Sequence, residues 1–401
     1  RGRIAMARAL AEGHLGLTPD LLRHEDSCLA CEACTAVCPA GVWMEPIQSA
    51  LRAAVEPVRR RSLPGRLVRA AVYGGLFARP ALLRAVSRLG WLYQRSGAQR
   101  LARAAGLLRL LGLAEADRLM PRFSSRFLVP KGQRWRPDGG VRRRVALLTG
   151  CIMSTAFAEV HGATVRVLTA AGCEVTAPRE QVCCGALQLH AGWREAARRQ
   201  ARRNIDAFER DGADAVVANA AGCGAAMKGY PHLLADDPAY AERARRFAAR
   251  VRDLTELLDE LGPPLPLGPV AATVTYQDAC HLAHAQGVLR EPRRLLASVP
   301  GLRLVELPES ATCCGSAGVY NVTQPAMAAR LGRRKARRIL ETGAEAVVST
   351  NPGCILQMRA HLEAAGANVR VLHVAQVLDE AVRRGREPAR TAGVREADGG
   401  A

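Results

Sequence analysis

Cys28, Cys31, Cys34 and Cys38 stand in the spacing C-x2-C-x2-C-x3-C, with Pro39 directly after the last. A cubane [4Fe-4S] cluster needs thiolates at the corners of a small tetrahedron, and two-residue gaps let one tight loop present three of them. In two-cluster ferredoxins the last cysteine of such a run serves the other cluster. Cys38 is therefore expected to point away from the cluster held by Cys28, Cys31 and Cys34. Pro39 fixes the backbone where the ligand loop ends. Four thiolates also satisfy zinc, but zinc motifs usually split into two well-separated pairs. The spacing reads as that of an iron-sulfur electron carrier. One run implies a second, yet no cysteine precedes Cys28 and the chain opens on Arg1. The expectation is that the first run lies upstream, so that residues 1–45 form the C-terminal half of a two-cluster ferredoxin-like domain.

A second set of cysteines recurs after about 130 residues, a period too long for a solenoid and read as a duplicated domain. Val145 to Cys151 (VALLTGC) matches Val274 to Cys280 (VTYQDAC), and Cys183-Cys184-Gly185 matches Cys313-Cys314-Gly315. ADAVVANAAGC, ending at Cys223, matches AEAVVSTNPGC, ending at Cys354. The exits agree as well, LTELLDE at Leu254 to Glu260 answering LHVAQVLDE at Leu372 to Glu380. Between these landmarks, Trp193 to Arg210 and Gln324 to Glu341 carry apolar residues at helical spacing. Strand and helix in alternation imply a parallel sheet flanked by helices, whose ligands gather beyond the carboxyl ends of the strands. Two sets of four thiols are thus expected to converge: Cys151, Cys183, Cys184 and Cys223, then Cys280, Cys313, Cys314 and Cys354. Each could hold a cluster or a zinc ion, or remain a pocket of free thiols in which adjacent Cys183 and Cys184 form a disulfide. Cys173 has no counterpart and reads as a small buried hydrophobe. His190, His281 and His284 could ligate metal or move protons; hydrogen-bonded packing is the preferred reading of each.

The elements that must position these residues give an α/β protein: a helical ferredoxin-type part (1–45), a basic helical connector (46–140), two domains with parallel sheets (141–262 and 270–384), and a polar tail at 385–401 expected to be disordered. The 401 residues are ample for several cores. Thirteen clustered cysteines suit metal ligation in a reducing cytoplasm better than a secreted disulfide scaffold. The net charge is +20, but the lysines are Lys131, Lys228 and Lys335 alone and the other basic residues are arginine, the bias of a GC-rich genome. Aromatic residues are 4% and do not interleave with the arginines, so nucleic acid is not an expected partner. In the connector, Leu101 to Leu113 (LARAAGLLRLLGL) reads as an amphipathic helix. Its period does not separate attachment to a membrane face or partner from inter-domain packing, and packing is preferred. Apolar runs from Arg66 to Leu113 are all broken by arginine, which excludes a membrane span.

With these residues in hand the chain resembles the glycolate oxidase iron-sulfur subunit family, with relatives among lactate-utilisation iron-sulfur proteins and the heterodisulfide reductase B subunit. The likeness is carried by Arg1-Gly2-Arg3-Ile4, CLACEACTAVCPAGV at Cys28 to Val42, CCGALQLHAG at Cys183 to Gly192, DACHLAHAQ at Asp278 to Gln286 and CCGSAGVYN at Cys313 to Asn321. The fullest form of the family's CCG motif ends in C-x2-C and can hold a non-cubane cluster. Here Ala226 and Gln357 replace that last cysteine, which puts the non-cubane cluster in doubt. The resemblance implies two [4Fe-4S] clusters in the full-length protein, bound in part by Cys28, Cys31, Cys34 and Cys38. It also implies a partner subunit that carries FAD and oxidises glycolate or another 2-hydroxy acid. No G-x-G-x-x-G follows a strand in this chain, so hydride chemistry belongs on that partner. This chain would carry electrons singly towards a quinone or other acceptor, in the cytoplasm or on the inner face of the bacterial inner membrane. The alternative is a heterodisulfide reductase-like catalytic subunit whose CCG cysteines reduce a disulfide or quinone themselves.

Overall fold

A computed structural model describes residues 2–263 and 265–386. The expected tail, from residue 387 onward, lies outside the described residues.

The two repeats are two sheets. The first is built from β1 (Gln133–Trp135), β2 (Arg143–Leu147), β3 (Cys173–Ala177), β4 (Ala215–Ala218) and β5 (Val251–Asp253), in the order β1-β3-β2-β4-β5. The second comprises β6 (Ala272–Tyr276), β7 (Leu302–Val305), β8 (Ala346–Ser349) and β9 (Arg370–His373), in the order β7-β6-β8-β9. The duplication holds to the residue: Val145 pairs with Val175 and Ala215, and Val274 pairs with Leu304 and Ala346. Parallel strands covered on both faces must be apolar throughout, and every residue of β4 and β8 is buried. The expected parallel sheets are present, with one addition: β1 runs antiparallel along β3. Three residues with an outward arginine gave no periodicity from which to foresee it. It covers an edge that would otherwise present unpaired backbone groups.

The repeats share a core, beside a second cluster around Ile205, Phe208, Tyr230 and Phe247 that belongs to the first repeat alone. Val145, Leu147 and Val217 of the first sheet are continuous with Val274 and Val347 of the second, through Val160 and Leu168 on helix Ala158–Ala170 and Val377 and Leu378 on helix Val374–Arg386. At its rim the Arg166 guanidinium donates to both Asp379 oxygens at 2.7 and 2.8 Å. The sheet ends are tied by the Gly222 N–H to Asn351 Oδ1 (3.2 Å) and by His373 Nε2 to the Asn219 carbonyl (2.8 Å).

Before the repeats, helices Gly2–Ala11, Pro19–Asp26 and Met44–Val55 enclose the cysteine loop around Leu21, Leu51 and Val55. Thr18 Oγ1 accepts from the Leu21 N–H and caps the second of these. The connector follows as short helices, among them Leu63–Arg69, Pro80–Arg95, Ala98–Ala104 and Leu107–Leu110. The single helix expected over Leu101 to Leu113 is not formed. Gly106 at φ +68° divides it, because glycine enters the left-handed region at little cost and stops the helix. Packing does not account for the whole connector either: Leu63, Leu67, Leu89, Leu101 and Leu110 are exposed, Leu110 by 84%.

Candidate metal centres

The ferredoxin-type loop is wound tightly around its thiols. Ala30 and Glu32, on either side of Cys31, both take left-handed backbone conformations (φ +50° and +61°), which costs a non-glycine residue about 1–2 kcal/mol each. Such strain persists where the surroundings over-determine it, commonly at a ligand site. The result turns backbone N–H groups towards sulfur. Ala30 N–H lies 3.4 Å from Cys28 Sγ. The N–H groups of Val42 and Ala40 hold the Cys38 thiol below its usual range. Burial pushes Cys31 up to about 11, and the neighbouring thiols of Cys280, Cys28 and Cys34 add to it. Cys38 is not among these neighbours of Cys31. It lines a cavity of about 660 Å³ together with Cys28, Cys34 and residues Arg3 and Met6 of the first helix. N–H donors aimed at sulfur favour the thiolate, the state that ligates iron, so the donor set fits an iron-sulfur cluster.

In each repeat four thiols converge at the carboxyl ends of the strands. Cys151 follows β2, Cys223 lies in the first turn of helix Ala221–Lys228 after β4, and Cys183 and Cys184 follow β3. Cys183 Sγ is 3.5 Å from Cys151 Sγ. That is near the edge, about 3.8 Å, of a tetrahedron with metal–sulfur bonds of about 2.3 Å. The contacts continue from Cys183 to Cys184 and from Cys184 to Cys223. The second repeat reproduces the chain through Cys280, Cys313, Cys314 and Cys354. Contact with Cys183, then burial, pushes the Cys151 thiol up; contact with Cys313, then burial, does the same to Cys280. Donors again meet sulfur: Gly315 N–H at 3.4 Å from Cys313 Sγ and Asn351 Nδ2 at 3.5 Å from Cys354 Sγ. Four thiols in serial contact are the donor type of a thiolate-bound metal, but among the described residues no group of three or more His, Cys, Asp or Glu side chains has the geometry to hold a metal ion as it stands.

The glycine of each CCG triplet has a geometric reason. Gly185 and Gly315 sit at φ +86° and +90°, and a Cβ there would lie 3.2 Å from Ala197 Cα and 2.7 Å from the Ala328 carbonyl oxygen. Both face the long helix of their own repeat, Arg194–Asp211 or Pro325–Glu341. On those helices Asn204 Nδ2 donates to the Cys183 carbonyl (3.0 Å), while Lys335 Nζ donates to the Glu309 and Ser310 carbonyls (2.6 and 3.1 Å). One pocket therefore has a neutral amide behind it and the other a buried amine.

The loop and the repeats meet. Arg52 Nε reaches Glu25 Oε1 at 3.0 Å, and its two terminal nitrogens donate to the Cys28 and His190 carbonyls at 2.8 and 3.1 Å. Tyr320 Oη donates to the Ser27 carbonyl (3.4 Å), and the charges of Cys28 and Cys313 both bear on its ring. The charge of the second repeat's Cys280 bears on Cys31, and His190 and His281 pack edge to face with centroids 5.3 Å apart. His284 instead has Nε2 on the Ala311 carbonyl (3.2 Å), a packing role. Cys173 is fully buried at the start of β3, away from both thiol sets. Sequence reasoning missed Arg52, Tyr320 and Lys335. Lys335 alone carried a signal, as one of three lysines in an arginine-rich chain.

Thiol pockets on duplicated parallel sheets, approached by a ferredoxin-type loop, define a cysteine-rich CCG-domain iron-sulfur protein. Residues 145–228 and 274–359 match the family described as "Cysteine-rich domain", and 64–120 match "Glycolate oxidase iron-sulfur subunit, linker region". The chain is 38% identical over 389 residues to the probable glycolate oxidase iron-sulfur subunit of Bacillus subtilis, covering 95% of this chain and 87% of that one. It is 32% identical to the glycolate oxidase iron-sulfur subunit of Escherichia coli, covering 96% and 88%. Lactate utilization protein A of an Exiguobacterium is 34% identical over 60% of this chain and 98% of its own length. The chain belongs to the glycolate oxidase iron-sulfur subunit family.

Proposed function

We propose that this chain is the electron-transfer subunit of a complex oxidising glycolate or a similar 2-hydroxy acid, taking electrons singly from an FAD-bearing partner and passing them towards a quinone or other acceptor. The observation that carries the reading is the tie between the ligand loop and the repeats: Arg52 donates to the Cys28 and His190 carbonyls and Tyr320 to the Ser27 carbonyl, and the Cys280 charge bears on Cys31, so a thiol set in the loop and one in the second repeat are near neighbours. Bound at such thiolates, a [4Fe-4S] cluster supplies one-electron transfer and no hydride chemistry. Cys28, Cys31 and Cys34 would hold one cluster and Cys38 a ligand position of another. The chain's own part is to bury these thiols, aim N–H groups at sulfur and fix the loop on the first repeat through Arg52 and on the second through Tyr320. The reading of the CCG pockets as metal centres rests on their thiol contacts. Direct thiol catalysis is not favoured, because Cys184 and Cys314 are 3% and 2% exposed, whereas reactive cysteines are partly open.

Anaerobically purified protein is expected to carry at least about four irons and as many labile sulfides per chain, with a dithionite-reduced cubane EPR signal that Cys31→Ser removes. Cys314→Ser should lower the remaining metal and leave that signal in place. Zinc without labile sulfide would overturn the electron-transfer reading.

Among the described residues no helix is long and apolar enough to cross a membrane. We propose instead that the connector rests on the anionic inner face of the bacterial inner membrane. Between Glu56 and Glu115 the chain has twelve arginines and no acidic residue, with exposed leucines among them, the pattern of an interfacial segment. The protein should sediment with phosphatidylglycerol vesicles, release with added salt, and lose binding in Leu67→Glu/Leu110→Glu. Equal binding to uncharged phosphatidylcholine vesicles would contradict the proposal.

A further inference from the structure

A cavity of about 260 Å³ lies where the loop and both repeats meet. Its wall includes Glu32, Trp43, Glu45, His190, Lys228 and His281. Three of the wall residues directly follow or precede candidate metal ligands from three different thiol sets: Glu32 follows Cys31, His281 follows Cys280, and Gly222 precedes Cys223.

The wall is divided by chemistry. Trp43, Leu189 and several alanines give an apolar side, and the carboxyls and imidazoles give a polar one. Glu32 is 4% exposed and already engaged, accepting from Thr35 Oγ1 at 2.8 Å, and Lys228 Nζ is paired with Glu256 at 2.6 Å. His190 is different: its ring packs on His281, and neither ring nitrogen has a hydrogen-bond partner among the described residues. Burial holds this imidazole well below its usual range, with the His281 and Arg52 charges adding, so it is neutral and carries one N–H. Glu45, in the same wall, is pushed up to about 7 by burial and then by the Glu32 charge, so it carries a proton for part of the time at neutral pH.

We propose that this cavity binds the head group of a single-ring quinone, with His190 as a hydrogen-bond donor and Glu45 as the proton donor. The inference rests on the electron-transfer reading above and names its acceptor site. A quinone needs a flat apolar slot, two donors for its carbonyl oxygens, and an electron source close by. The cavity is smaller than the roughly 300–1,000 Å³ of drug-sized sites, which suits one substituted ring and excludes a flavin. If clusters bound at this chain's thiolates supplied two electrons one at a time, two protons would convert both quinone carbonyls to hydroxyls. Both protons would pass through Glu45, which is reprotonated from water between the two, while neutral His190 donates a hydrogen bond to the other carbonyl and keeps its N–H.

The test uses the full chain, purified anaerobically with its metal, and a photoreactive single-ring azidoquinone. Illumination followed by peptide mapping is expected to place the label within Trp43–Glu45, Ala186–His190 or His281–Ala285, with the label competed away by unlabelled decylubiquinone. His190→Ala should weaken binding roughly fivefold, the worth of one hydrogen bond. Glu45→Gln should bind comparably but slow quinone-driven reoxidation of the dithionite-reduced protein about tenfold. Ala225→Leu, which fills the slot without removing a polar group, should block labelling with iron content unchanged. Label elsewhere, or label that survives Ala225→Leu, overturns the site. Protein that holds its iron and cubane signal yet takes no label refutes this inference alone. Protein without iron refutes the electron-transfer reading, whatever it labels.

Discussion

Arg52→Met is expected to lower stability by about 3–5 kcal/mol, the largest effect of any single substitution outside the cysteines. Glu25 is 2% exposed, and its carboxylate is met by Arg52 and Gln48 from the same helix. Removing the guanidinium leaves a buried charge without its counterion, and that uncompensated charge, more than the lost attraction, sets the cost. The same side chain donates to the Cys28 and His190 carbonyls, so its loss also releases the ligand loop from the first repeat. The prediction is a fall in the denaturant midpoint together with a broadened or lost cubane EPR signal. Arg52→Met/Glu25→Gln should recover much of the stability, because both charges are gone, but not the signal, because the loop is still unheld. Arg52→Lys should recover little of either, since an ammonium cannot span three acceptors in a fixed fork. A loss below about 1 kcal/mol, the range of exposed pairs, would show that the pair is solvated and the loop is held by other contacts.

Gly315→Ala is expected to be the more damaging of the two CCG glycine substitutions. Alanine at either site pays for a left-handed backbone, about 1–2 kcal/mol, so this term does not discriminate. The surroundings do. At Gly315 the new methyl would stand 2.7 Å from a backbone carbonyl oxygen of helix Pro325–Glu341, and at Gly185 its nearest neighbour is Ala197 Cα at 3.2 Å. Backbone inside a packed helix cannot move aside, so the Cys313-Cys314 pair must. Thermal unfolding of both variants, with metal content measured alongside, tests the order: Gly315→Ala should unfold at lower temperature and lose metal from the second repeat, while Gly185→Ala retains most of it. Equal effects would mean that the helix yields in both repeats and the strain is conformational alone.

Much of this architecture was legible in the chain because a duplication prints every landmark twice. The match of VALLTGC to VTYQDAC fixed β2 against β6, and the structure pairs Val145 and Val274 with equivalent partners. The rule that ligands gather beyond strand ends then placed the four thiols of each repeat together. What stayed hidden has two causes. Arg52 and Tyr320 act across long stretches of sequence, and no local spacing marks a residue whose partner lies in another domain. Gly106 was overlooked because the leucines on either side kept a helical period, and one backbone angle outweighed it. The connector was read as packing for the same reason: periodicity reports that a helix has an apolar face, and only the fold tells whether anything covers it.

The common core of the two repeats has a consequence for how the protein tolerates change. Helix Ala158–Ala170 of one repeat and helix Val374–Arg386 of the other lie in a single apolar cluster, and beyond it the first repeat alone has a second cluster of its own around Phe208, Tyr230 and Phe247, so the second repeat depends on the shared interior. Cooperativity follows: the halves should gain and lose structure together, although each is complete as a topology. After such a duplication the two pockets are free to diverge in chemistry, as Asn204 and Lys335 already have, while their scaffolds remain bound to one shared folding equilibrium.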